Sequence, residues 1–176
     1  VDPFDPPFTA YGLLPVYVLR TALSMQGLSA ADLGVVDERR RVFLTARLIA
    51  ALLAIAALGM TWVLAIELVP ARADVGRWAG ILALAFVAFA PGAIQQAHFF
   101  IVDGFFTAIS LVGLWAILRA VSTGERRWYV LAGLLVGALG AVRFNGLALG
   151  AVLFAGHLAR RRGLRAAELW MAGAAA

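Results

Sequence analysis

The sequence predicts an all-α protein, a polytopic bundle of transmembrane helices. Three observations carry that expectation. Of 176 residues, 63% are hydrophobic and only 14% are charged, with a mean hydropathy of +0.91. A water-soluble domain of this length needs far more polar surface. The apolar runs are also long and unbroken, as in "FLTARLIAALLAIAALGMTWVLAIEL" at 43–68, which exceeds the needs of a barrel strand. Finally, the charge lies in short segments between those runs. All 15 basic residues are arginine and the net charge is +5, which suits loops beside a membrane; no segment is basic enough to point to nucleic acid. The absence of cysteine excludes disulfides and thiolate metal sites.

Residues 1–8, "VDPFDPPF", hold three prolines, which lack a backbone donor and restrict the preceding residue, so an extended loop is expected. The apolar stretch 9–28 is interrupted by Gly12, Pro15 and Arg20 and carries two tyrosines near one end; it reads as a helix lying in the membrane interface. Residues 29–41, "SAADLGVVDERRR", read as a polar connection. Residues 1–41 are thus expected to be part of an extracytoplasmic loop, and 42–176 the membrane part. The expected spans are about 43–68, 78–94, 99–119, 128–142 and 145–159. The second contains Pro91, and "QQAHFF" is the turn after it. The end "AAELWMAGAAA" reads as the opening of a further span, and the start at Val1, with no initiator methionine or signal peptide, reads as that of a fragment.

Residues 128–159 pose a length problem. As one helix they would measure roughly 48 Å at 1.5 Å per residue, against a hydrocarbon core of about 30 Å. Basic segments flank both ends, "GERR" before and "ARRRGLR" after, and basic flanks favour the cytoplasmic side. Both ends on one side require a hairpin. The interruption "VRFNG" supplies its turn, and Gly133/Gly137 and Gly146/Gly150 have the small-xxx-small spacing that lets helices approach closely.

Counting spans assigns sides. The segments 69–77, 119–127 and 160–165 hold nine arginines, against Arg20, Arg39 to Arg41, Arg47 and Arg143 on the other side. Arg47, His98, Asp103, Arg143 and Asn145 then share the outer ends of their helices. Asp103 is the most pointed of these, because "FFIVDGFF" puts a carboxylate into an apolar run, where ionisable groups face protein or a water-filled cavity. A helix-end carboxylate also fits a group that snorkels or favours the positive end of the helix dipole. Arg143 equally suits an interfacial anchor of the turn, Arg47 a snorkelling residue, and His98 a loop residue. Asp103 is expected to lie beside Arg47 or Arg143, because an unpaired buried charge costs several kcal/mol by order of magnitude.

No phosphate loop, dinucleotide fingerprint, zinc-ligand spacing or serine-nucleophile elbow is present in the sequence. The residues alone lead to a helical membrane protein whose polar outer cavity contains arginines and one carboxylate. Such a cavity suits an anionic lipid-linked substrate, and it also suits a transporter.

The order of four stretches narrows this. "PFDPPFTAYGLLPVYVLRTAL", "RVFLTARLIAALLAIAAL", "QQAHFFIVDGFFTAISLVGLWAILRA" and "LAGLLVGALGAVRFNGLALGAVLF" resemble successive parts of GT-C class membrane glycosyltransferases. The likeness is to family 39, which includes protein O-mannosyltransferases and aminoarabinose transferases. The resemblance implies a GT-C bundle in a bacterial inner membrane with an outward-facing site. It implies inverting transfer of a sugar from a polyprenyl-phosphate donor to a protein, lipid or glycan acceptor. Arg143 stands where the family more often has lysine, and Arg47 matches a recurring arginine. On this reading Arg143, Arg47, Asn145 and His98 bind substrate and Asp103 supports catalysis. A divalent metal ion is compatible with such chemistry. The family's acidic motif, the expected principal base, lies before the point matching Val1, so this fragment alone is expected to be inactive. A transporter or lipid flippase and a non-catalytic membrane scaffold are the alternatives.

Overall fold

The computed structural model describes residues 12–28, 36–69 and 73–161. Within them the chain is helical throughout and has no strand. Seven α-helices follow in order: α1 (Leu14–Ser24), α2 (Val36–Leu68), α3 (Ala73–Ala88), α4 (Pro91–His98), α5 (Val102–Thr123), α6 (Arg126–Val142) and α7 (Ala148–Arg161), with a single 3-10 turn, Phe144–Leu147, between the last two. The proline-rich segment 1–8 and the expected final span lie outside the described residues.

α2 and α5 are long and apolar enough to cross a membrane, and the bent pair α3–α4 meets the same test when taken as one span. Their lipid-compatible faces are plain in α2, where Leu44, Leu48, Leu52 and Ile55 are all exposed. A continuous apolar face of this kind is stable against hydrocarbon and costly against water. α6 and α7 are shorter, roughly 26 and 21 Å at 1.5 Å per residue.

Three expectations are corrected by the helix boundaries. The polar connection 29–41 gives way to helix from Val36, so "DERRR" is the first part of α2. Glu and Arg are good helix formers, and no glycine or proline interrupts the chain between Val36 and Gly59. The helix therefore runs past the apolar region instead of stopping at its edge. The single span 78–94 is instead two helices bent by 64°. Pro91 causes the break: it lacks an amide donor and drives Ala90 to an extended conformation, φ −68° and ψ 124°. Pro91 then opens α4, where a missing N–H costs nothing. The expected turn "QQAHFF" is consequently helical through His98.

The hairpin of α6 and α7 is present. Tyr129 near the start of α6 meets His157 near the end of α7, with the hydroxyl 3.1 Å from Nδ1. Arg160, one turn further, donates to the carbonyls of Val121, Ser122 and Thr123 at the end of α5. α7 thus returns to the level at which α6 began. The core of this half consists of Ala116, Ile117, Val121 and Ala132, with Leu131, Leu135, Leu149 and Leu153 packed around them. Small side chains here bring the helices close, as expected for packing without a hydrophobic driving force.

The glycine pattern behaves differently from expectation. At Gly146 an added Cβ would stand 2.7 Å from the Leu139 carbonyl oxygen, and at Gly150 it would stand 3.3 Å from Val136. Gly133 and Gly137 face open space. Only one member of the expected glycine pairing is a contact surface. α6 presents Gly133 and Gly137 to the outside, while Gly140 faces Leu147 on the side of the fully buried Leu139 and Val142.

Candidate functional site

Two ends of the bundle can be told apart by which residues gather there. One end holds the N-terminal part of α2, the last turn of α4, the first turn of α5 and the α6–α7 turn. All five residues expected at the site belong to it, but they are not all brought together.

Arg143 and Asp103 are. Nη1 of Arg143 lies 2.7 Å from Oδ1 of Asp103, a salt bridge between side chains that are 31% and 41% exposed. The expectation that Asp103 has a basic partner is met, and the partner is Arg143. Asp103 sits in the first turn of α5, where the positive end of the helix also favours a carboxylate. Arg143 is the residue at which α6 ends; its backbone is extended, φ −151° and ψ 137°. Its N–H still donates to the Leu139 carbonyl at 2.8 Å, and its carbonyl accepts from the Gly146 N–H at 2.9 Å. The guanidinium is therefore carried on a turn held at both ends, above the most completely buried part of α6. Helices place such a group more reproducibly than a free loop would.

Arg47 is exposed on α2 and makes no ion pair among the described residues. It lies one turn before Ala50, which lines a cavity of about 270 Å³ between α2, the end of α3, α4 and α5. Ala54, Ala57, Ile94 and Gly104 also line that cavity, which is mostly apolar. Gly104 follows Asp103, so the salt bridge is one residue along the chain from the cavity's lining, although neither Asp103 nor Arg143 lines it. His98 lines it too, but its Nδ1 is 2.8 Å from the Ile94 carbonyl of its own helix. His98 ends α4, and the expected loop position is corrected accordingly. Asn145 is exposed on the 3-10 turn, two residues beyond Arg143. The site thus consists of the Arg143–Asp103 pair and a neighbouring apolar cavity, with Arg47 and Asn145 exposed at the same end of the bundle and outside the cavity's lining.

Among the described residues no group of three or more histidines, cysteines or acids is placed to hold a metal ion.

Sequence reasoning missed a second charged cluster at the opposite end. Glu67 in the last turn of α2 pairs with Arg119 of α5, and Trp115 Nε1 donates to the same carboxylate oxygen at 3.1 Å. Arg119 lies 5.7 Å from the centre of the Trp115 ring, which in turn meets Trp128 edge-on at 5.0 Å. The available signal was an acid at the end of a long apolar run, the mirror image of Asp103 at the start of one.

No protein-family model, curated protein or solved structure matches the chain. The likeness to family 39 stands on the four stretches quoted above, and the functional reading on those and the geometry.

Proposed function

We propose that this chain is part of a membrane glycosyltransferase that moves a sugar from a polyprenyl-phosphate donor to an acceptor at the extracytoplasmic face. The observation that carries this reading is the Arg143–Asp103 salt bridge standing beside an apolar cavity. A polyprenyl-phosphate sugar has the same two parts, an anionic phosphate next to a hydrocarbon chain. The acceptor oxygen attacks the anomeric carbon, the bond from that carbon to the phosphate oxygen breaks, and the electron pair leaves with the phosphate. Arg143 meets the growing negative charge on the phosphate with two donors in one plane. Asp103 holds the guanidinium in place until the phosphate arrives. Arg47 extends the positive field at this end of the bundle, and Asn145 offers a neutral amide toward the sugar. The acceptor's proton goes to a base, for which the family resemblance implies a carboxylate of an acidic motif.

Sidedness belongs to the same reading. Arg77, Arg119, Arg126, Arg127, Arg160 and Arg161 stand at the end opposite the salt bridge, and the nine arginines of segments 69–77, 119–127 and 160–165 in the sequence, against six elsewhere, support a cytoplasmic assignment of that end. Cysteines replacing Glu125 and Phe144 should therefore react with an impermeant reagent from opposite sides, Phe144→Cys from outside. Reaction of both from one side would remove the assignment.

The 64° break between α3 and α4 favours a second reading, because transporters build substrate sites from broken helices. Labelled-sugar transfer by the complete protein in liposomes separates the two. Arg143→Ala should lower turnover by about 10²–10³-fold, as for loss of one donor to a developing anion, while insertion stays normal. Arg143→Lys should keep part of the activity, since charge survives without the fork. Undiminished turnover in Arg143→Ala would take Arg143 out of the site. Uptake of a phosphorylated lipid without sugar transfer would favour the transporter.

A further inference from the structure

α1 lies across the end of the bundle that carries the salt bridge, and it touches both α2 and α6. Its two attachments are specific. At one end the Gly12 N–H donates to the Val142 carbonyl at 3.0 Å, at the residue directly before Arg143. A Cβ at position 12 would overlap the Ala141 carbonyl oxygen and stand 3.0 Å from the Val142 amide nitrogen. Only glycine permits that approach. At the other end Gln26 exchanges hydrogen bonds with Thr45, which is buried and two residues from Arg47. The helix between the two anchors, Leu14–Ser24, is roughly 16 Å long at 1.5 Å per residue.

The last turn of α6 is therefore held between two glycine backbones. Gly146 presses on it from the hairpin side and Gly12 from the α1 side. Arg143 leaves the chain at the point where those two grips meet. An amphipathic helix that merely floats in the interface needs no backbone hydrogen bond to a neighbouring helix. α1 has lipid-ready residues as well, Val16, Tyr17 and Met25 being exposed, but its glycine anchor is directed at the arginine turn.

We propose that α1 is a brace that sets the position of Arg143, with Gly12 and the Gln26–Thr45 pair as its anchors. Gly12 and Gln26 are then positioning residues, and this rests on the reading of Arg143 as the phosphate-binding group. Displacing the brace shifts the guanidinium relative to the departing phosphate. It leaves the guanidinium itself and the apolar cavity intact.

The test is a cycle of variants in the complete protein, reconstituted in liposomes and assayed with labelled polyprenyl-phosphate sugar. Gly12→Ala should lower kcat by about tenfold to 100-fold, the scale of a misplacement of about 1 Å, with the donor KM little changed. Gln26→Ala, which threatens no core contact, should give a smaller loss in the same parameter. In an Arg143→Ala background neither substitution should lower the residual rate further. Equal proportional losses in both backgrounds would overturn the proposal, because a merely structural role does not depend on Arg143. A second readout needs no activity. The chain has no native cysteine, so spin labels at Val16→Cys and Phe144→Cys report the distance from brace to turn. That distance should lengthen in Gly12→Ala, and an unchanged distance would also overturn the proposal. Full turnover in Arg143→Ala would instead defeat the functional reading, and the label distance would still decide whether Gly12 anchors α1.

Discussion

The two ends of the bundle each join α5 to another element through one carboxylate and one guanidinium, yet the two pairs are built differently. Glu67 and Arg119 both stand on helices, and their surroundings are aromatic. Trp115 donates to the carboxylate while its ring lies beneath the guanidinium, and Trp128 closes the cluster edge-on. Asp103 and Arg143 join a helix start to a non-helical turn, near an apolar cavity. Exposure does not separate the pairs: Arg119 and Glu67 are 43% and 25% exposed, Arg143 and Asp103 31% and 41%. Surroundings do. An ion pair clamped by indoles holds helices together, whereas one near an apolar cavity is placed to exchange its carboxylate for another anion.

Exchanging the charges within each pair would test that difference most severely. The double variant Asp103→Arg with Arg143→Asp keeps one ion pair but puts a carboxylate where the proposed partner of the phosphate stood. Sugar transfer should fall by about 10²–10³-fold, with the melting temperature nearly kept. Glu67→Arg with Arg119→Glu should leave turnover within a few-fold. Equal losses of turnover from the two exchanges would erase the functional distinction between the ends.

The second effect is on stability. Glu67→Ala leaves Arg119 without its carboxylate and Trp115 Nε1–H without its acceptor, between helices distant in sequence. Breaking a fully buried pair costs about 3–5 kcal/mol, but these groups are partly exposed, so about 1–2 kcal/mol is expected. Asp103→Ala should cost less, because the turn carrying Arg143 keeps its backbone bonds to Leu139 and Gly146. Thermal unfolding in detergent reads both. A larger loss for Asp103→Ala would make the Arg143–Asp103 pair the structural one.

Much of this fold can be read from length and charge. α2 and α5 are continuous apolar runs, and the hairpin follows because 32 residues with basic flanks at both ends must turn back. Asp103 announces a partner because carboxylates at that depth need one. The helical course of "DERRR" is less legible, since charged helix formers look the same in a loop and in a helix that overruns the apolar region. The bend at Pro91 is marked by the proline, but its size depends on how α4 packs against α2. Glu67 and Arg119 are 52 residues apart, and no local pattern pairs them. Nor does the sequence single out Gly12 among 18 glycines, since its requirement comes from a helix that passes it much later in the chain.

Arg160 tests a smaller contribution at the end opposite the Arg143–Asp103 pair. It satisfies carbonyls left over at the end of α5, a position where cations also favour the helix dipole. Arg160→Ala should cost about 1 kcal/mol and raise hydrogen exchange selectively in the turn around Gly124. Turnover should stay the same, because the proposed phosphate site lies at the other end. A loss of turnover as large as that of Arg143→Ala would show that the ends are not independent.

The smallest effect is expected midway along α6, and it sharpens the comparison by its sign. Gly133 is exposed and a Cβ there would meet nothing within 4 Å. Glycine in a helix interior is worse than alanine by roughly 0.5–1 kcal/mol, because it has more backbone freedom to lose. Gly133→Ala should therefore raise the unfolding temperature slightly and leave turnover alone. Gly146→Ala should lower both, because its Cβ would stand 2.7 Å from the Leu139 carbonyl oxygen in the turn that carries Arg143. The two substitutions add the same methyl group to two glycines of one hairpin, so opposite signs isolate the contact from the chemistry. Destabilisation by Gly133→Ala would instead mean that a further element of the complete protein covers this face of α6. That element would then join the hairpin as a structural partner, and the open face would cease to be a lipid-facing one.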